Sequence, residues 1–323
     1  MAGLQASFLK RTGIINAILM AVVVGIACWL AAWALLGDSV AYLGFINAGG
    51  LVYGFVALAA GLVLLFRRRW IIGVLGLALA IFLLAYPSGT NIAASEDRLL
   101  PSDIRIMSAS LRGLNQDMAG TAAHLAQYDA DIIGLQEVYD ANAFKTALEN
   151  TTQKTWYMAV QGKLTILAAF PVTINTAPAK SILSAQIAIP GRTLTVWTLR
   201  APKAYQKPLV NRQFFSALAK EIDVLEPDAV IGDFNASPWN HGYAAMDAKM
   251  VNAQKAGGFG AGSSFPGPAR NSGLLGAFAR IDHVFVRQGR RIVNAFTGTA
   301  YKTSDHHPVV ADLRLAKQAV SAE

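Results

Sequence analysis

Residues 229–235 read Ala-Val-Ile-Gly-Asp-Phe-Asn, a short apolar run that ends in a carboxylate and an amide. So short a run fits a buried strand, and the turn that closes it leaves Asp233 and Asn235 at the strand's end. Taken alone, this is an ordinary turn in which Asp and Asn bond their own backbone. Three other runs repeat the arrangement. Asp131–Leu135 (DIIGL) leads into Gln136 and Glu137, Arg280–Val286 (RIDHVFV) carries Asp282, and Ser304–Pro308 (SDHHP) sets Asp305 and His306 ahead of Val309–Leu313. Strand ends are where a sheet presents side chains to a shared cleft, so the ordered set points to one site. Glu137 and Asp305 are oxygen ligands that suit a hard cation such as Mg2+, which takes one or two carboxylates and fills its other positions with water and phosphate. The tandem His306 and His307 leave Mn2+ or zinc open, although this region has no Cys and no paired-His helix spacing.

Outward from these motifs, Asp103–Ser110 alternates as a strand, and further strands are expected at Leu164–Ala169, Ile182–Ile189, Leu194–Leu199, Ala229–Ile231, Ile281–Val286 and Val309–Leu313. Met118–Tyr128 and Arg212–Leu225 have helical spacing. Strands outnumber helices and several lie close enough to form hairpins, which favours a mixed-sheet α+β domain over a strictly alternating parallel one. Ala256–Gly276, rich in Gly, Ser and Pro, reads as a long surface loop.

The front of the chain differs in kind. The 323 residues are 54% hydrophobic and 15% charged, against about 25% charge in a soluble protein, with a mean hydropathy of +0.38. The apolar excess lies in residues 1–95, whose charges are Lys10, Arg11, Asp38 and Arg67–Arg69; residues 96–323 carry the other 23 basic and 19 acidic side chains. Three uncharged stretches, at about 14–36, 41–66 and 70–86, read as transmembrane helices, so the chain divides into a membrane anchor (1–95) and a soluble-type domain (96–323). Basic residues are retained on the cytoplasmic side, and here they flank the first helix and fill the loop between the second and third. The amino terminus is therefore expected inside a cytoplasmic membrane and the domain outside it, periplasmic or extracellular. Cys28, the lone cysteine, falls in the first helix, so the domain has no disulfide. With no ionisable residue mid-span, an ion pathway is disfavoured.

The set LQE, GDFN, IDH and SDHHP, in this order over residues 135–308, resembles the endonuclease/exonuclease/phosphatase superfamily, and the anchor followed by such a domain is similar in layout to its membrane-anchored bacterial branch, which includes teicoplanin-resistance membrane proteins. The resemblance implies a four-layer sandwich, two mixed β-sheets face to face with helices outside. It implies that Glu137 and Asp305 hold a divalent ion, Mg2+ or Mn2+, and that Asp233 orients and deprotonates the attacking water. Asn235 would bind a phosphate oxygen or the ion, and His306 would stabilise the phosphoryl group with Asp282 fixing its tautomer. Two positions depart from the family pattern: Ser110 stands where an Asn is usual in the first strand, and Arg200 where many members carry a His at the end of a middle strand. Arg cannot donate a proton at working pH, but it and Ser110 could bind phosphate.

His124 is expected to be packed or exposed on its helix, His241 to lie in a loop, and His283 to be structural. Trp239 reads equally as packing beneath the GDFN turn or flanking substrate; Arg212, Gln213 and His307 are equally open. The expected activity is metal-dependent phosphoester hydrolysis at the membrane surface, because a tethered enzyme meets lipid-linked phosphates at high effective concentration. An extracytoplasmic nuclease is the second reading, weakened by a domain charge of only about +4. A phosphate- or lipid-binding module without turnover is the third.

Overall fold

The computed structural model describes residues 2–86, 98–112, 117–176, 179–270 and 276–315. The expected boundary at residue 95 lies outside the described residues.

The chain begins with α1 (Ala2–Leu36), α2 (Leu43–Asn47), α3 (Gly50–Phe66) and α4 (Trp70–Ala85). Among the described residues, only Arg11–Leu36, 26 residues, is long and apolar enough by itself to cross a membrane. This corrects the expectation of three full spans. The stretch 41–66 is not one helix: it breaks between α2 and α3, leaving α3 with 17 residues, and α4 has 16. At ~1.5 Å per residue each reaches about 25 Å, short of a hydrocarbon core of about 30 Å. The break has a local cause. Tyr42 takes a left-handed backbone at the start of α2, and Asn47 at its end donates to Asp38 Oδ1 (2.7 Å) and to the Gly37 carbonyl (3.2 Å). That ties the segment back to the end of α1 instead of letting it continue as helix. α3 and α4 pack backbone to backbone where Gly61 faces Gly76, since a Cβ on Gly76 would stand 2.9 Å from the Gly61 Cα.

The domain follows as β1 (Ile104–Ser110), α5 (Met118–Ala126), β2 (Ile132–Gln136), α6 (Ala141–Thr152), β3 (Tyr157–Gln161), β4 (Leu164–Ala168), β5 (Val172–Asn175), β6 (Ile182–Ile189), β7 (Arg192–Arg200), α7 (Pro208–Leu225), β8 (Ala229–Asp233), α8 (His241–Asp247), β9 (Met250–Asn252), α9 (Ala253–Gly257), β10 (Asp282–Arg287), β11 (Arg291–Thr297) and β12 (Val309–Arg314). Two six-stranded sheets form, in the orders β11-β12-β1-β2-β4-β3 and β5-β6-β7-β8-β10-β9. The parallel pairs β1/β2 and β7/β8 lie within otherwise antiparallel sheets, as the mixed α+β reading expects.

The alternation of side chains builds the layers. Ile106, Ile132 and Ile166 of the first sheet meet Leu183, Val196, Ile231 and Val284 of the second in the central core. The residues between them point outward: Met107, Ile133 and Leu167 bury Phe144 and Leu148 of α6, while Trp197 and Val230 bury Phe215 and Leu218 of α7. Central strands are therefore apolar on both faces, which is why they read as continuous runs. Near the site end, Gln136 Nε2 crosses the core to donate to Thr198 Oγ1 (2.8 Å) and to Ser108 Oγ (3.1 Å). These bonds fix the two sheets relative to each other. Register places Arg200 beside Asp233 and Asp233 opposite Asp282.

The expected loop at 256–276 is more ordered than its composition implies. It holds the end of α9, a bridge between Phe265 and Ala279, and a 3-10 turn at Pro268–Arg270; residues 271–275 lie outside the described residues.

Candidate active site

The ends of β2, β7, β8 and β10, together with the segment before β12, converge on one cavity of about 530 Å³ that is lined by Glu137, Arg200, Asn235, Asp305 and His306 among others. Asp233 and Asp282 are buried directly behind it. The sequence-expected carboxylates, Asn235 and the imidazole are thus brought together.

The His306 pair is the best-defined element. His306 Nδ1 donates to Asp282 Oδ2 at 2.8 Å, with both side chains buried. Asp282 is set by Ser264, whose hydroxyl accepts the N–H groups of Ile281 (3.1 Å) and Asp282 (3.0 Å). His306 is set by Ser304, whose Oγ accepts the His306 N–H (3.0 Å) and donates to the Ser110 carbonyl (2.8 Å). Burial works against the imidazolium, but Asp282, Asp233 and Asp305 outweigh it and raise the His306 pKa to about 9. Burial and the neighbouring Asp282 raise Asp233 to about 6, against the pull of His306 and Arg200. A cationic imidazole and a carboxylate that can take a proton near neutrality therefore stand side by side.

Asn235 sits in the left-handed region (φ 46°), as does Glu137 (φ 59°). Non-glycine residues held there tend to cluster at functional sites. The Asn235 N–H donates to Asp233 Oδ1 (3.0 Å), and its amide NH2 donates to Asp233 Oδ2 (3.0 Å) and the Ala201 carbonyl (3.0 Å). Its expected contact with a phosphate oxygen is not made available by this geometry, because both amide protons are engaged. What it offers the cavity is an acceptor, suited to water or a cation.

Arg200 bridges two carboxylates: its Nη2 pairs with Glu137 Oε1, and its Nε lies 3.6 Å from Asp233 Oδ2. Arg270 Nε pairs with Asp305 Oδ2 at 2.8 Å; against the cost of burial, that hydrogen bond and the nearby His306 hold the Asp305 carboxyl below its usual range. Arg112 and Lys203 complete a basic rim. Ser110 is not among the cavity-lining residues: it is buried, and its Oγ has no hydrogen-bond partner. Its hydroxyl therefore does not face the cavity in this structure.

The endonuclease/exonuclease/phosphatase profile matches residues 91–306, two thirds of the sequence. The chain belongs to the endonuclease/exonuclease/phosphatase family. No curated protein sequence matches it. Solved structures share the fold at low identity. A family member from Bacteroides thetaiotaomicron is 17% identical with a TM-score of 0.53, covering 67% of this chain and 98% of its own. A mannosyl-6-phosphatase from the same species is 17% identical with a TM-score of 0.52, covering 66% and 100%. D. rerio TDP2, complexed with single-strand DNA product, gives 17%, 0.52, 66% and 100%. At these identities the likeness is one of fold, and this chain carries that fold behind helices that the family profile does not cover.

Family members typically use a divalent metal, and the donors here fit one. Among the described residues, Asp233, Asp282 and His306 offer ligand atoms within 4.8 Å of one another. His306 Nδ1 and Asp282 are, however, already engaged with each other, which makes that group a proton-handling set. Glu137 and Asp305, both on the cavity wall and both charge-paired with guanidinium, are the oxygen donors whose chemistry matches a hard cation.

The remaining sequence candidates fall away from the chemistry. His283 Nε2 donates to the Ala236 carbonyl (2.9 Å) and its Nδ1 accepts from Asn252 (3.2 Å), so it is a neutral, buried histidine whose pKa burial and Arg280 drive down to about 3. His124 and His307 bond the backbone at Thr299 and Gly298. Arg212 and Gln213 are exposed on α7, away from the cavity. Trp239 packs into the helices, its ring 5.3 Å from Trp33 and 5.7 Å from Trp29. Sequence reasoning missed Arg112, Lys203 and Arg270, and it missed a whole wall: Tyr42, Phe45 and Ala48 line the cavity from the segment between α1 and α3. Asp38, the lone acid of that segment, was the available signal.

Proposed function

We propose that this chain is a membrane-anchored, divalent-metal-dependent phosphoester hydrolase acting outside the cytoplasm on lipid-linked or other membrane-surface phosphates. The observation that carries this reading is one cavity lined by Glu137, Asn235, Asp305, His306 and a basic rim, with Asp233 buried behind it and a segment of the apolar helices as part of its wall. Water attacks phosphorus in line, so a new P–O bond forms as the ester P–O bond breaks. Asp233 takes the water's proton, Asn235 holds that carboxylate in place, and the leaving oxygen takes a proton from solvent. His306, kept cationic by Asp282, faces the phosphoryl oxygens as their charge grows, and Arg200 and Arg270 supply further positive charge. A divalent ion held by Glu137 and Asp305 would neutralise the same oxygens.

Although only α1 is long enough to cross a membrane by itself, we infer that α3 and α4 lie beside it as short spans, an orientation that fits the placement of charge. Arg67 reaches the beginning of the apolar stretch Arg11–Leu36 within α1, donating to Asn16 Oδ1 (3.1 Å), whereas Asp38, just past the other end of that helix, bonds the domain. Basic residues and domain thus occupy opposite ends of the bundle. α3 and α4 are at the short limit of what crosses a bilayer, a mismatch that local thinning accommodates at modest cost.

Detergent-solubilised full-length protein, assayed with Mg2+ or Mn2+ against EDTA, is expected to release phosphate from an isoprenyl diphosphate or a phospholipid in preference to single- or double-stranded DNA. Glu137→Ala and Asp233→Asn are each expected to lower kcat at least 100-fold. Turnover confined to DNA would establish the nuclease instead, and binding without turnover a non-catalytic module.

A further inference from the structure

The segment between α1 and α3 does more than connect helices. Asp38 is buried and accepts three hydrogen bonds: from Asn47 Nδ2 (2.7 Å), from Asn240 Nδ2 (3.0 Å) and from the His241 N–H (2.6 Å). Asn240 Nδ2 also donates to the Gly44 carbonyl (3.1 Å), and the Tyr42 N–H donates to the Tyr205 carbonyl (2.7 Å). Trp33 Nε1 donates to the Trp239 carbonyl (2.7 Å). Every domain partner here except Tyr205 lies within eight residues after Asp233, so α2 is fixed against the same loop that presents the catalytic carboxylate.

What this clamp holds in place is apolar and unfilled. Phe45 remains 50% exposed and Tyr42 69% exposed. Phe45 makes only ring-edge approaches, its centroid 6.2 Å from Tyr205 and 6.3 Å from Phe278. With Ala48, Phe265 and Ile281, these side chains form an apolar part of the cavity wall. A volume of about 530 Å³ is in the range that holds a drug-sized ligand, far more than a phosphate group. The wall also stands between the end of α1 and the start of α3, so that under the proposed anchoring an apolar chain leaving the cavity would meet the bilayer there.

We infer that α2 and its flanking residues are part of the substrate site, with Phe45 as a specificity-determining residue that contacts the first apolar groups of a phosphate carried on a hydrocarbon chain. The inference rests on the hydrolase reading above and adds that the domain's site is incomplete without the membrane segment. Charge complementarity assigns the phosphate to the Arg200 and Arg270 end, which leaves the chain to the α2 end.

The test uses full-length protein in detergent with two chain-bearing substrates, an isoprenyl diphosphate and a diacyl phosphatidic acid. Their tail-less counterparts are inorganic diphosphate and glycerol phosphate. Phe45→Ala is expected to cut the preference for the chain-bearing member, read as the ratio of kcat/KM values, about tenfold, mainly through KM. Phe45→Leu, which keeps an apolar side chain, is expected to restore most of it. Which substrate shows the effect distinguishes an isoprenoid from an acyl chain. A preference ratio that Phe45→Ala leaves unchanged, while the wild type turns over a chain-bearing substrate, overturns the role of α2 alone. Failure of the wild type to turn over either chain-bearing substrate overturns the lipid-phosphate reading and this inference with it.

Discussion

Asp282 never reaches the cavity, yet the charge of the site depends on it. Its hydrogen bond to His306 Nδ1 helps keep the imidazole protonated up to about pH 9 against the cost of burial. Because that pKa is raised, the cation is present below it and is lost as pH rises through it. Asp233, raised to about 6, must be ionised to accept a proton, so activity is gained as pH rises through that value. The expected kcat profile is a bell between these limits. Asp282→Asn removes the carboxylate charge and is expected to move the alkaline limb down by a unit or more, with a kcat loss of at least tenfold at its optimum. An alkaline limb unmoved in that variant would show that His306 does not act as a cation. The hydroxyls of Ser264 and Ser304 accept the backbone N–H groups of Asp282 and His306 and hold both residues in place without titrating.

Elements differ sharply in how much of them the sequence discloses. The central strands were legible because burial on both faces leaves a run of apolar residues, and the site residues were legible because each follows such a run directly. Strands β3, β5, β9 and β11 and helices α6 and α8 were not anticipated. β5 is a four-residue edge strand with three exposed residues and no buried one, so its sequence carries little hydrophobic signal. α2 was concealed for another reason: its residues are as apolar as a membrane span, and only the contact between Asp38 and Asn240, 202 positions apart, shows that they turn aside. Arg270 was hidden in the same way inside a Gly- and Pro-rich loop. Asp38 therefore belongs to the energetics of an element. Asp38→Ala removes the acceptor of one Asn47 N–H, one Asn240 N–H and the His241 N–H, a cost of about 3 kcal/mol. The apparent thermal midpoint of the full-length protein should fall by roughly 5–10 °C. Ser39→Ala, at the exposed neighbouring position, should leave it within about 1 °C, and equal effects from the two would refute the clamp.

At the scale of the whole molecule, the helices and the sandwich are one catalytic object if the inferred site is right, and that requires both ends of the α1–α3 connection to be on the domain's side of the membrane. The proposed anchoring makes a specific prediction: Ser39 and Gln288 share a compartment, with Arg68 opposite, because residues 37–48 are bonded to the loop after Asp233 while Arg67 bonds Thr12, at the far end of the apolar stretch Arg11–Leu36. All three positions are exposed, which makes them readable by chemistry. In a Cys28→Ala background, which removes the lone native thiol, a membrane-impermeant maleimide added to intact cells (outer membrane permeabilised where present) is expected to label Ser39→Cys and Gln288→Cys but not Arg68→Cys, which should react only after the membrane is opened. Labelling of Arg68→Cys in intact cells, with the other two protected, would invert the protein. The basic residues at 67–69 would then have crossed the membrane against their usual retention, and the substrate would have to be sought among cytoplasmic phosphates, with the cavity and its α2 wall unchanged but facing the other leaflet.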